Sequence, residues 1–302
     1  MLPHIDAFNK ILKLEKNFSK NTIASYLSDL KALETFLVKK NIDSKTAFQS
    51  DEILKEYFRS LSQENLSSRT IKRKFSSLSS YFNFLMEKKK IGKNPLSSVF
   101  TPKLDKKLPS VLTLDEIKLI FKASEDHENE LLGLRDRCMF ELLYSAGLRV
   151  TEICDLTMDN ILFDEKLIRF FGKGDKERII PLTYYALEWL NKYLFQTRKI
   201  LSERKSYNVD FVFLSNNGKK MTRAAIWQIV KKYIYQLNIK KNVSPHTFRH
   251  SFATHLIDGG ANLVVVQQLL GHSDISTTEI YTHLSRDYID SEYLKAFKKN
   301  SN

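Results

Sequence analysis

Apolar positions recur at helical spacing through the first hundred residues. Tyr26, Leu30, Leu33 and Leu37 fall every three or four positions and predict a helix opened by Ser19-Lys20-Asn21-Thr22. Ser50 reads as the cap of a second helix, with Asp51 and Glu52 in its first turn, where the helix dipole favours acids. A third begins at Ser67 or Ser68 and carries the stripe Ile71, Phe75, Leu78, Phe82, Leu85, stopping near Lys90 ahead of Gly92 and Asn94-Pro95. A short segment, 5–14, supplies one more. Residues 1–94 therefore read as a small helical bundle.

The pattern breaks over residues 95–112, where Pro95, Pro102 and Pro109 sit among Ser, Lys and Asp. This predicts an extended linker, and about 15 such residues span up to ~50 Å. Helical spacing resumes in a larger unit, 113–302. Thr113-Leu114-Asp115-Glu116 is a capping box. A helix over roughly 130–145 ends at Gly147, which puts Arg149 at a helix junction with Glu152 three residues on, in reach of its guanidinium. The periodicity then switches to strands, 167–171 and 178–182, around a turn containing Gly172-Lys173-Gly174. That turn lacks the spacing of a P-loop, and a strand rather than a helix follows it.

Further helices are predicted near 184–193 and 221–237. Ser244 and Pro245 open another, with Phe248, Phe252 and Leu256 on one face and His246 and Arg249 together on a different one. It ends at Gly259-Gly260. Asn262 caps a helix through Leu270, and Ser276-x-x-Glu279 caps a short one carrying Tyr281. The expected fold is mainly α in two domains: an N-terminal bundle (1–94), a linker (95–112), and an α-rich C-terminal domain (113–302) with a small antiparallel β-hairpin.

A chain of 302 residues can bury two cores. Its net charge is +13. Residues 1–103 hold 19 Lys/Arg and 10 Asp/Glu, a net of 19 − 10 = +9, against 29 − 25 = +4 for the remainder. The front third thus favours a polyanionic partner, the plainer reading being a Lys-rich surface of biased composition. Arg69, Lys72, Arg73, Ser76 and Ser80 form a basic, hydroxyl-bearing face opposite the third helix's apolar stripe; phosphate contacts suit it, and so would simple solvation. Cys138 and Cys154 read as small core residues in a reducing compartment. The N-terminus does not read as a secretory signal and no apolar run has the length of a membrane span, so the expected setting is the cytoplasm, without a membrane partner.

Five of the seven histidines lie between His246 and His283. An imidazole beside a guanidinium, as at His246 and Arg249, suits an anion, and a phosphate best. His250 and His255 read as structural. They are five apart rather than i, i+4, and no HExxH is present, so no metal or other cofactor is expected.

Gly147-Leu148-Arg149-Val150-Thr151-Glu152, the Gly172-Lys173-Gly174 turn, His246-Thr247-Phe248-Arg249-His250, Leu270-Gly271-His272 and Tyr281 resemble, in order and spacing, the tyrosine recombinase (phage integrase) family. Asn21-Thr22-x-x-x-Tyr26-x-x-Asp29-Leu30 and Leu108-Pro109 are similar to its bacterial Xer branch, whose core-binding domain is SAM-like. The resemblance implies a site-specific recombinase that exchanges DNA strands through a Holliday junction and resolves chromosome dimers at cell division. Six catalytic residues are implied: Arg149 and Arg249 on the non-bridging oxygens, Lys173 as general acid, His246 on the nucleophile's proton, His272 on a phosphate oxygen, and Tyr281 as nucleophile. Glu152 would support Arg149, and Arg69, Lys72 and Arg73 would bind DNA.

The implied partners are duplex DNA with an inverted-repeat site, three more recombinase subunits (identical or paralogous) and a DNA translocase. The implied location is the bacterial nucleoid. The tail lacks the His-Pro-Arg-type ending of many Xer proteins, and its apolar pattern over 288–298 is expected to dock on a neighbouring subunit. A mobile-element integrase is the alternative within the class, and a DNA-binding regulator without catalysis the alternative outside it.

Overall fold

The computed structural model describes residues 2–14, 18–64, 66–99, 110–171, 177–204, 210–263, 266 and 270. The chain divides into two compact units, Met1–Lys107 and Leu108–Asn302. Both are mainly helical, as the apolar spacing leads one to expect.

The N-terminal unit holds α1 (Ile5–Leu14), α2 (Lys20–Lys39), α3 (Ser44–Gln49), α4 (Asp51–Gln63) and α5 (Ser68–Glu87). Ser19 caps α2 by accepting from the Thr22 N–H at 3.0 Å, and Ser67 caps α5 by accepting from Thr70 at 3.2 Å. Leu30, Leu33 and Leu37 of α2 are buried with Ile71, Leu78, Phe82 and Leu85 of α5. Phe8 of α1 meets Tyr81 edge-on at 5.4 Å, and the Tyr81 hydroxyl donates to the Pro3 carbonyl at 2.6 Å.

Three sequence-based expectations change here. Ser50 stands at the head of α4, but its side chain makes no capping bond. It is also the residue that ends α3, a helix the apolar pattern did not separate, capped by Asp43. The stretch 95–112 is not linker throughout. Leu96 and Val99 are buried in the N-terminal core, and Leu112 is buried in the core of the second unit. Residues 100–109 lie outside the described part of the chain.

The second unit is built on α7 (Glu130–Ser145), which packs against α6 (Leu114–Glu125) before it in the chain and, beyond it, α9 (Tyr184–Tyr193) and α12 (Pro245–Asp258). Every residue of α7 from Arg135 to Ser145 is buried. Its charges are neutralised in place. Arg135 donates to Asp136, whose other oxygen accepts from the Tyr233 hydroxyl at 3.2 Å. Arg137 pairs with Glu141 at 2.6 Å and Glu125 at 3.0 Å and lies over the rings of Phe121 and Trp189. A buried charge without such partners would cost several kcal/mol.

After α8 (Val150–Asp155), three antiparallel strands run in the order β1 (Ile161–Leu162), β2 (Leu167–Phe171) and β3 (Glu177–Pro181). The two-residue β1 was not expected; Ile161 pairs with Ile168. Helix α9 continues through a π-helical turn, Leu194–Arg198, into α10 (Lys199–Glu203), and α11 (Arg223–Gln236) precedes α12. Phe140 of α7 stacks on Phe248 of α12 at 5.4 Å, and Cys138 and Cys154 are buried with burial raising both thiols. The helix expected after Asn262 shows its spacing in two bonds, Val266 to Asn262 and Leu270 to Val266, each 3.0 Å. Of the described helices, none is long and apolar enough to cross a membrane.

Candidate active site

The turn at Gly147 and the start of α12 bring Arg149 and Arg249 together. Helix α7 ends at Gly147, which adopts φ +55°, a left-handed conformation that glycine takes without a Cβ penalty. A Cβ there would stand 3.0 Å from Leu270, 3.4 Å from Phe252 and 3.8 Å from Arg249. The bare backbone therefore allows the α7–α8 turn to close against α12. Arg149 follows as the N-cap of α8. Its backbone N–H donates to Glu152 Oε2 at 2.7 Å and its guanidinium to Oε1 at 2.8 Å. Both bonds to one carboxylate leave the guanidinium half-exposed at a fixed place.

Arg249 approaches from α12. Pro245 occupies the first helical position, and the Ser244 N–H donates to Thr247 Oγ1 at 3.0 Å, fixing the start of the helix. Phe248 and Phe252 are buried, which aims Arg249 at the α7–α8 turn. It donates to the carbonyls of Gly147 and Leu270. Leu270 lies two residues before His272 in sequence. Burial, then the Arg178 and Arg149 charges, push Arg249 down to about 9, with Glu152 opposing. The cluster is thus cationic and partly desolvated, which is what an anion-binding pocket requires. His246, one turn before Arg249 on α12, is exposed.

Arg178 was not foreseen as a site residue. It projects from β3 and donates to the same Glu152 Oε1 that holds Arg149. The alternation of β3 was the available signal. Arg178 shares a strand face with Ile180, which is buried, so an arginine stood at a core-facing position.

His255 is buried, with its Nδ1 2.9 Å from the Tyr144 hydroxyl; burial holds its imidazole below the usual range. His250 is exposed. On α5, Arg69, Lys72, Arg73 and Ser76 are exposed as a group, and Ser80 partly so. Arg73 is not fully available, because it pairs with the buried carboxylate of Asp29, which also accepts from Ser77 at 2.7 Å and faces Lys74 at 3.3 Å. Lys173, His272, Tyr281 and the tail over 288–298 lie outside the described residues. Among the described residues, no three His, Cys, Asp or Glu side chains are grouped to hold a metal ion.

The chain is mainly helical in two units, with paired arginines presented at the α7–α8 turn and on α12. Residues 110–287 match the Phage integrase family, and residues 5–89 match the Phage integrase N-terminal SAM-like domain. The chain belongs to the phage integrase, or tyrosine recombinase, family. Tyrosine recombinase XerD of Staphylococcus aureus is 39% identical over 289 residues, covering 96% of each protein. XerD of Chlorobaculum tepidum is 39% identical over 286 residues, 94% of this chain and 93% of its own length. Among solved structures, the Tn1549 transposon integrase in complex with a circular intermediate DNA superposes with a TM-score of 0.72 at 20% identity, over 98% of this chain and 100% of that one. The XerH recombinase bound to a palindromic difH substrate gives 0.64 at 22% identity, over 96% and 84%. Those two likenesses concern the fold.

Proposed function

We propose that this protein is a site-specific DNA recombinase of the Xer type, working in the bacterial cytoplasm on the nucleoid. The observation that carries the reading is the meeting of Arg149 and Arg249 across the Gly147 turn, in a chain 39% identical to XerD over nearly its whole length. Two guanidiniums at that turn suit the two non-bridging oxygens of one phosphodiester, where negative charge builds during substitution at phosphorus.

The Tyr281 phenolate oxygen bonds to phosphorus as the P–O5′ bond breaks, leaving a 3′-phosphotyrosyl link and a free 5′-hydroxyl. His246 takes the phenol proton. Lys173 gives a proton to the departing 5′-oxygen. His272 donates to a phosphate oxygen. One ester replaces another, so the energy of the broken bond is retained and the step reverses without ATP. The exposed Arg69 and Lys72 on α5 support duplex binding from the N-terminal unit. Two protomers occupy an inverted-repeat site, and four, identical or paralogous, exchange strands through a Holliday junction. The XerD relatives favour resolution of chromosome dimers as the cellular role.

The test is a nicked duplex carrying the recombination site. Wild type leaves a protein–DNA adduct stable to detergent, whereas Tyr281→Phe binds the duplex and leaves none. An adduct in that variant would reassign the nucleophile, and none in wild type would remove the activity.

A further inference from the structure

Glu152 serves two guanidiniums from different elements. Its Oε1 accepts from Arg149, at the head of α8, and from Arg178, on β3, while Oε2 holds the Arg149 backbone N–H. The two arginines differ in exposure. The Arg149 side chain is 40% accessible, whereas those of Arg178 and Glu152 are 13% each. Arg149 is the member that can meet a ligand, and Arg178 stands behind it.

Charge arithmetic gives this arrangement a consequence. Arg149 and Glu152 alone sum to zero, and a guanidinium so closely paired projects little field. Arg178 raises the sum to +1, and Arg249 to +2. A phosphodiester carries one negative charge and gains a second as the nucleophile adds. Arg178 offsets the negative charge that Glu152 sets beside Arg149.

We propose that Arg178 is a positioning residue for strand cleavage: it shares the Glu152 carboxylate with Arg149, so that Arg149 stays in place and keeps its positive charge for the scissile phosphate. Arg178 acts through that pair rather than by touching DNA. Its charge is also felt at Arg249, where it is the strongest charged neighbour lowering that group's pKa. The proposal rests on the recombinase reading above.

Single-turnover cleavage of the nicked duplex tests it, with DNA affinity and thermal melting recorded for each protein. Arg178→Met is expected to slow cleavage by about ten- to a hundredfold, less than loss of a donor that touches phosphate directly, with DNA affinity unchanged. Arg178→Lys, which keeps the charge, recovers most of the rate. A methylphosphonate at the scissile position is uncharged and needs less compensation, so the Arg178→Met deficit shrinks on it. Equal deficits on both substrates, with no recovery in Arg178→Lys, would mean that Arg178 only supports the fold and would overturn the proposal. Wild-type cleavage matched by Arg178→Met would overturn it alone. No cleavage by wild type would overturn the recombinase reading, and this proposal with it.

Discussion

Gly147 is where the fold and the site depend on the same atom that is not there. An alanine at φ +55° sits in the left-handed region, at a cost of about 1–2 kcal/mol. Its Cβ would meet Leu270 Cδ2 at 3.0 Å and Phe252 Cδ1 at 3.4 Å. Both are side-chain atoms that can yield by a few tenths of an ångström, so the steric addition is small. A unit of this size loses about 2–4 °C in Tm per kcal/mol, and Gly147→Ala should therefore melt about 2–8 °C lower. Cleavage should suffer more. The Gly147 carbonyl receives Arg249, and Leu270, the side chain displaced, belongs to the residue whose carbonyl receives it too. Misplacing that guanidinium by around an ångström costs up to about 10²-fold in rate. Gly260→Ala is the control. It has φ +95° and no atom within 4 Å of the new Cβ, so it carries the backbone penalty without the pressure on Arg249. Melting by calorimetry and adduct formation on the nicked duplex are read side by side. The reasoning fails if both variants lose activity in step with their Tm, or if Gly147→Ala matches wild type in both measurements.

Other expectations concern groups away from that turn. Tyr144→Phe removes the hydroxyl beside His255 and leaves a buried ring nitrogen without it, lowering stability to urea by about 1–3 kcal/mol; an unchanged midpoint would refute the contact. His255 is held below its usual pKa by burial, with Asp258 and the Leu112 backbone opposing, so the folded state binds fewer protons than the unfolded one just below about pH 6.5. Stability should accordingly fall as pH drops through that region, and His255→Gln should flatten the fall. Arg69→Ala with Lys72→Ala should weaken binding alike on all sequences and reduce the salt slope by about two; a slope that does not change would remove α5 from the interface. Lys173→Ala should bind normally and cleave slowly, with rescue by a 5′-thiolate leaving group that needs no proton; without rescue its role as the acid is lost.

Much of this was readable from the chain because it depends on local chemistry. Caps at Ser19, Ser67 and Thr113, the glycine after α7, and the stripe on α12 all act within one or two turns. The two arginines were legible for the same reason: each sits beside a local signal, Arg149 after a glycine and Arg249 one turn into a Pro-started helix. What stayed hidden arises from long-range pairing. Helix α7 carries Arg135, Asp136, Arg137 and Glu141, yet these charges are buried, because α6, α9 and α11 bring partners to them. Likewise β1 exists only through its pairing with β2, and Arg73 looked free until Asp29, 44 residues away, took its guanidinium.

The same long-range pairing explains why a stable fold tolerates the site at all. Three guanidiniums around one carboxylate repel one another, and burial makes that worse; Arg249 records both effects in its lowered pKa. At neutral pH it remains charged, so the unliganded protein bears the repulsion as lost stability. The compensation lies elsewhere in the unit, in its apolar core and the stacked rings of Phe140 and Phe248. On the recombinase reading proposed above, an entering phosphate would relieve the repulsion, and one gathering charge in a transition state would relieve it further. Neutralising one arginine should therefore raise the melting temperature of the free protein while it slows cleavage. A variant of Arg249 or Arg178 that lost both together would show instead that the guanidiniums hold the fold by their carbonyl and carboxylate bonds more than they strain it by their charge.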